Sequence, residues 1–263
     1  MTSEVFAPAK INLTLHITGQ RADGYHLLDS LVVFADVSDR IWITPQDRMV
    51  IEITGPFADG VPTDRRNLIW QAAELAGVTA HVRLEKNLPH GAGIGGGSAD
   101  AAAILRHFGV VANAESLGAD VPVCLDVAPQ RMRGIGEELS REIGLPDFEL
   151  VLVNPGTAVP TGPVFNALTR KDNGPMPDAI PRFLSVTDMC DWLALQRNDL
   201  QAPACVMVPE INHALDTLRD AALARMSGSG GTCFGIYADG AEAAASRIRA
   251  AHPDWWVAVG ERL

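Results

Sequence analysis

The stretch Pro89–Ala103, PHGAGIGGGSADAAA, constrains this chain more than any other. Glycine stands at Gly91, Gly93, Gly95, Gly96 and Gly97, and the sequence then turns alanine-rich. Glycine at that density frees the backbone for positive φ and lets its N–H groups approach a ligand closely. Ser98 and Asp100 suit a helix cap or first turn, and Ala101–Phe108 reads as helix. Upstream, His81–Leu88 alternates, with Val82, Leu84 and Leu88 on one face and His81, Arg83, Glu85 and Asn87 on the other, which predicts a strand. A strand, a glycine loop and a helix N-terminus in that order make an anion site, because unpaired N–H groups and the helix dipole point the same way. A tight turn alone needs one or two glycines, so the surplus argues for phosphate.

Two familiar phosphate loops fit poorly. The Walker A pattern places lysine after its last glycine, and Gly97 occupies that position here. Gly91, Gly93 and Gly96 satisfy G-x-G-x-x-G, and Glu115 lies roughly 20 positions on, as a dinucleotide fingerprint asks. That fingerprint also needs a first strand buried on both faces, which should read as a continuous apolar run. The alternating His81–Leu88 does not, and Val110–Ala114 is a poor second strand. A Rossmann oxidoreductase therefore ranks second.

The formal charge of −11 bears directly on an anion site. With no basic run longer than Arg65-Arg66, a nucleic-acid partner is disfavoured, since phosphate contacts supply most of that affinity. A small anion can still be held by a few local groups. Cys124, Cys190, Cys205 and Cys233 are scattered singly, which argues against a zinc ribbon and for a reducing compartment. The N-terminal MTSEVFAPAK has neither a charged leader nor an apolar one, and no apolar run is long enough to span a bilayer. A soluble cytoplasmic protein is expected, monomeric or homodimeric.

Elsewhere, Ile11–Ile17 alternates and predicts a strand, with Lys10 and Asn12 projecting together from its polar face. Such a lysine is ordinarily a solvated edge residue, but this chain has only Lys10, Lys86 and Lys171. The loop Gly19–His26 ends in Tyr25-His26, either a stacking platform for a flat ring or a cover for the core edge. Leu31–Ala35 and Arg40–Thr44 read as two strands around Asp36–Asp39, and Thr54–Asn67 as a loop before a helix over 68–76. Asp120 stands among small and apolar residues, where a carboxylate needs a partner, a task or a cap to make. Arg133–Glu137 reads as a turn between strands and Glu149–Val153 as a strand. Thr169–Pro181 reads as a surface connection, and 187–202 and 209–224 as helices. A second glycine/serine loop, Arg225–Thr232, leads into a strand Cys233–Tyr237, and a helix 241–251 and strand 255–259 follow. That second loop is either a hairpin-like turn or a partner that closes over the same phosphates.

Three segments together resemble the superfamily of galactokinase, homoserine kinase, mevalonate kinase and phosphomevalonate kinase. They are Pro8-Ala9-Lys10-Ile11-Asn12-Leu13, the stretch Leu88–Ser98, and Met226-Ser227-Gly228-Ser229-Gly230. Ala7–Leu15 joined to Gly19–His26, Gly118–Pro122 and Pro160–Phe165 resemble, within it, the branch acting on a cytidine-linked polyol. The resemblance runs from about residue 6 to 260.

It implies an α+β fold of two domains, with residues 1–148 carrying the ATP site and 149–263 closing the substrate cleft. The first would contain a left-handed β-α-β unit, against the general rule of handedness, and the second would be ferredoxin-like. The implied reaction moves the γ-phosphate of ATP, with Mg²⁺, to the 2-hydroxyl of a cytidine-diphosphate-linked methylerythritol, on the non-mevalonate route to isoprenoid precursors. A homoserine-kinase-like activity on another alcohol is the alternative. By the same resemblance Asp120 is the catalytic carboxylate and Lys10 its partner. Pro89, Gly91, Ala92, Gly93, Ile94, Gly95, Gly96, Gly97, Ser98 and Lys86 surround the nucleotide. Tyr25, His26 and Phe165 form the cytosine pocket, with Asn12 and Thr161 near the rest of the substrate. Relatives usually read Gly-Ser-Ser after the glycines, whereas Ala99 stands here, leaving Ser98 as the serine able to meet phosphate or magnesium.

Overall fold

The computed structural model describes residues 1–142 and 144–263. A single strand organises the first half. β3, His26–Pro45, runs for 20 residues, and its burial explains its composition. Leu31, Val33 and Ala35 enter one core while Val32 and Phe34 enter another, so the strand is apolar on both faces. The expected turn at Asp36–Asp39 is instead a bulge within it. β1, Ser3–Asn12, pairs Pro8 with Ser38 and Ala9 with Ala35, skipping two residues of β3. The aspartates there are polar because they serve neighbours: Asp36 accepts from Glu261 N at 2.8 Å, and Asp39 accepts from Asn87 N and Leu88 N.

β2 (His16–Gln20) also pairs with β3. β4 (Val50–Thr54), β5 (Ala80–Glu85), β6 (Gln130–Gly134) and β7 (Glu138–Arg141) complete a seven-stranded sheet of order β4-β5-β3-β6-β7, with β1 and β2 also on β3. Only β4 and β5 are parallel, bridged by α1, Leu68–Leu75, whose N-cap Asn67 accepts from Ile69 N at 2.9 Å. α2, Gly96–Phe108, lies beside α1 and β1. Its Ala99, Ala101, Ala102 and Ala103 are all buried, the small side chains permitting close approach. A mostly antiparallel sheet removes the Rossmann reading, and Glu115 falls in a short 3-10 turn.

The second sheet has the order β11-β8-β10-β9, from β8 (Glu149–Asn154), β9 (Leu223–Met226), β10 (Cys233–Tyr237) and β11 (Trp256–Glu261). In chain order this is 4-1-3-2, the ferredoxin-like arrangement, with α7 (Ala241–Ala251) between its last two strands. The sheets share a core in which Ile11, Leu13, Leu31 and Val33 meet Leu150, Leu152 and Phe234.

Three expectations fail locally. The strand over 11–17 breaks after Asn12, because Leu13 N and Thr14 N both reach Leu31 O and Leu15 pairs with the 197–199 segment. Its apolar residues are buried as expected, but in different clusters. The helix over 187–202 is α4, Val186–Ala194, and then α5, Gln201–Met207. The interruption at Arg197–Asp199 is the strip that bonds Leu15. The helix over 209–224 ends with α6 at Thr217, since 223–226 is claimed by the sheet as β9. Within the 169–181 connection Met176 is buried: its N–H reaches Asp29 Oδ2 at 2.8 Å, and Arg131 holds the carbonyls of Met176, Pro177 and Asp178. Among the described residues, no helix is long and apolar enough to cross a membrane.

Candidate active site

Two loops meet where the sheets join. The first follows β5 and enters α2 with Gly91, Gly93 and Gly95 at φ 56°, 72° and 66°. The first backbone bond at this end of α2 runs from Ala99 N to Gly95 O, so Gly96, Gly97 and Ser98 keep N–H groups without a helical partner. The second loop, between β9 and β10, packs directly against the first. Ser227 Oγ donates to Gly93 O at 2.9 Å and accepts from Asn12 N at 3.1 Å, while Thr232 N reaches Ala92 O at 3.0 Å. A Cβ on Gly93 would stand 2.4 Å from Ser227 O, so the contact itself requires glycine.

A buried charge cluster holds the ends of the first loop together. Lys86 Nζ donates to Asp39 and, at 2.7 Å, to Asp100 Oδ2, which lies beyond the first turn of α2 and caps nothing, the helix starting on Gly95 with no side-chain cap. Burial alone would lower the Lys86 amine, but the two carboxylates outweigh it and raise it above its ordinary value. Burial pushes the Asp100 carboxyl upward, and its Oδ1 has no partner. Lys86 borders the nucleotide-sized cavity described next, yet its charge is spent inside the protein.

That cavity, about 460 Å³, is walled by Pro89, Gly91, Ala92, Gly93, the run Gly95–Ser98 and Lys86, and by Val61, Pro62 and Arg66–Leu68. Ile94 lies outside its wall: the side chain is in the core and its carbonyl accepts from Lys10 N at 2.9 Å. A second cavity, about 680 Å³, is lined by Lys10, Asn12, Tyr25, His26, Phe165 and Thr161 among others. His26 and Phe165 rings sit 4.8 Å apart at 36°, Tyr25 is exposed, and His26 Nε2 is buried without a partner. Burial, and then the charge of Lys171, lower the His26 imidazole below 6.5. Asn12 Nδ2 donates to Ser30 Oγ at 2.8 Å, leaving its buried Oδ1 free. Both cavities share Ser98, Asp120, Thr161 and Ser229, and at that junction Lys10 Nζ donates to Asp120 Oδ2 at 2.9 Å.

The family models "GHMP kinases N terminal domain" and "GHMP kinases C terminal" match residues 67–125 and 184–254. A protein of Dinoroseobacter shibae named 4-diphosphocytidyl-2-C-methyl-D-erythritol kinase is 54% identical, covering 96% of this chain and 92% of its own. One of the same name from Ruegeria pomeroyi is 50% identical with both chains covered in full. The chain belongs to the 4-diphosphocytidyl-2-C-methyl-D-erythritol kinase family of the GHMP kinases. A crystal structure titled 4-(cytidine 5'-diphospho)-2C-methyl-D-erythritol kinase superposes with a TM-score of 0.76 at 34% identity, covering 99% of each chain. Homoserine kinase of Cytophaga hutchinsonii, at 17% identity and a TM-score of 0.66, shares the fold.

For this member of the family, the structure brings Lys10 and Asp120 into contact across 110 residues and gathers Tyr25, His26 and Phe165 around one cavity. Sequence reasoning missed Asp39 and Asp100, although one signal was present. Lys86 falls on the apolar face of the alternating His81–Leu88 segment, a parity that requires a buried counter-charge. It also gave Ser229, which borders both cavities, no part of its own.

Proposed function

We propose that this kinase transfers the γ-phosphoryl group of ATP to the 2-hydroxyl of 4-diphosphocytidyl-2-C-methyl-D-erythritol. The observation that carries the reading is the junction: a glycine-walled cavity and an aromatic-ended cavity meet at the Lys10–Asp120 pair. The triphosphate lies along the free N–H groups at the start of α2, where the helix dipole favours anions. The cytosine lies against His26, Phe165 and Tyr25, and Asn12 Oδ1 accepts from a polyol hydroxyl. A homoserine-type substrate would leave that aromatic end without a ring to meet.

Transfer is direct and in line, so positioning and charge neutralisation do most of the work. Asp120 accepts the proton of the substrate hydroxyl as its oxygen bonds to the γ-phosphorus and the bond to the β-phosphate oxygen breaks. Lys10, donating to Asp120 at 2.9 Å, steadies the carboxylate and the oxygen's developing charge. Among the described residues, no group of three His, Cys, Asp or Glu could hold a metal alone. The Ser98 hydroxyl oxygen at the junction nonetheless suits Mg²⁺, which takes one or two protein ligands beside substrate phosphates. Bound there, the ion would neutralise charge on the β- and γ-phosphates.

On this reading residues 1–148 form the nucleotide half and 149–263 the half that closes the substrate cleft. The enzyme works in the cytoplasm as a monomer or homodimer, and its charge of −11 accords with small-molecule rather than nucleic-acid partners. Mass analysis after mixing protein, Mg-ATP and the cytidine-linked polyol tests it. The expected product is heavier by one phosphoryl group. No such product, or phosphorylation of homoserine in its place, refutes the assignment.

A further inference from the structure

From Arg225 to Phe234 every residue is buried except Ser229. The loop is built to place that one side chain. Gly228, Gly230 and Gly231 surround it at φ 56°, 102° and 46°. A Cβ on Gly228 would lie 2.8 Å from Gly93 O, and one on Gly230 would lie 2.8 Å from Met226 Sδ. Asn198 Nδ2 bonds both Met226 O and Gly228 O at 2.8 Å, and Ser227 is tied to Gly93. A hairpin turn needs none of this bracing. Its result is that Ser229 Oγ stands 2.9 Å from Thr161 Oγ1, on the wall shared by both cavities with Ser98 and Asp120.

Two hydroxyls bonded to one another have two hydrogens, of which their mutual bond uses one. The other is available to an acceptor in the junction. The group passing through that junction is the phosphoryl in transit, whose non-bridging oxygens carry the charge that needs donors. We propose that Ser229 is a catalytic residue: held by Thr161, its hydroxyl donates to a non-bridging oxygen of the transferring phosphoryl group. Ser229 keeps its own proton throughout. The acceptor hydroxyl loses its proton to Asp120, the new oxygen–phosphorus bond forms, and the bond to the β-phosphate breaks. This assignment rests on the kinase reading above.

The test compares the parent enzyme with Ser229→Ala and Ser229→Thr, using ATP and then ATPγS. Loss of a donor aimed at developing charge lowers kcat by about 10²-fold, so Ser229→Ala should fall by that factor. KM for both substrates and the unfolding midpoint should hold. Ser229→Thr should retain most of the rate. Sulfur accepts hydrogen bonds poorly, so the penalty for ATPγS should be smaller in Ser229→Ala than in the parent. A Ser229→Ala enzyme with parental kcat overturns the inference, as does an equal fall in Ser229→Thr or an unchanged ATPγS penalty. A parent that makes no phosphorylated product refutes the kinase reading itself, and this inference with it.

Discussion

Gly93→Ala and Gly91→Ala form a matched pair that separates backbone strain from loop-to-loop packing. Both glycines have positive φ, 72° and 56°, so either substitution forces an L-residue into the left-handed region, at about 1–2 kcal/mol. Beyond that they differ. A Cβ on Gly91 meets nothing within 4 Å, whereas on Gly93 it meets Ser227 O at 2.4 Å and Gly230 O at 2.7 Å. Those are backbone atoms, fixed by Ser227 N to Thr232 O at 2.9 Å and Gly230 N to Ser227 O at 3.0 Å, so they cannot swing aside. Overpacking of this kind costs about 1–3 kcal/mol. Gly93→Ala should therefore lose that much more than Gly91→Ala, read as a lower urea midpoint at unchanged slope. ATP affinity should fall in parallel, because the clash separates the two loops. Equal midpoints for the two variants would refute the claim that the loops are wedged together.

Asp120→Asn or Lys10→Ala should lower turnover by about 10²–10⁴-fold while leaving ATP binding largely intact, and near-parental rates in both would remove the pair from catalysis. Phe165→Ala, and likewise Tyr25→Ala, should weaken the cytidine substrate by about 1–3 kcal/mol, as for other base–aromatic stacks; calorimetric titration checks this, with ATP affinity as the control. Lys86→Met leaves the Asp39 and Asp100 carboxylates buried without their cation and should destabilise the protein by about 3–5 kcal/mol, measured by denaturant unfolding. Burial, and then the Arg197 charge, hold His16 below its ordinary 6.5 in the folded chain. Just below pH 6.5 the unfolded chain then binds the extra proton, so stability should fall on acidification through that window and rise with pH across it. His16→Gln should flatten that slope, and an identical slope would exclude His16 as its source.

The glycine loop, α1, the helix after the glycines and the C-terminal strand, helix and strand were legible because each is set by local pattern. Periodicity and turn chemistry decide them within a dozen residues. What escaped depends on partners far away in the chain. Asp36–Asp39 has the composition of a turn, and nothing local reveals that Asp39 receives Asn87 and Leu88, 48 and 49 positions on. Residues 187–202 carry a helical pattern that ends early because Arg197–Asp199 serve Leu15. The same limit applies to the site. Lys10 and Asp120 were paired through family resemblance alone, since spacing says nothing about a contact between a strand end and a turn.

The proposed function requires a chain of net charge −11 to hold a triphosphate. Side-chain cations are a poor answer here. Lys86 is taken by two carboxylates, Arg66 at the cavity's edge is bound to Asp64, and Lys10 is engaged with Asp120. Backbone dipoles remain, and the left-handed turn at Gly95 leaves the N–H groups of Gly96, Gly97 and Ser98 without helical partners. Neutral donors attract a phosphate only where they converge, so the loop has to be rigid although glycine makes it pliable. The Asp39–Lys86–Asp100 cluster supplies that rigidity from beneath, and the Ser227–Gly93 contact supplies it from the side. Charge in this site therefore serves to fix geometry, and geometry in turn does what charge does in a basic protein.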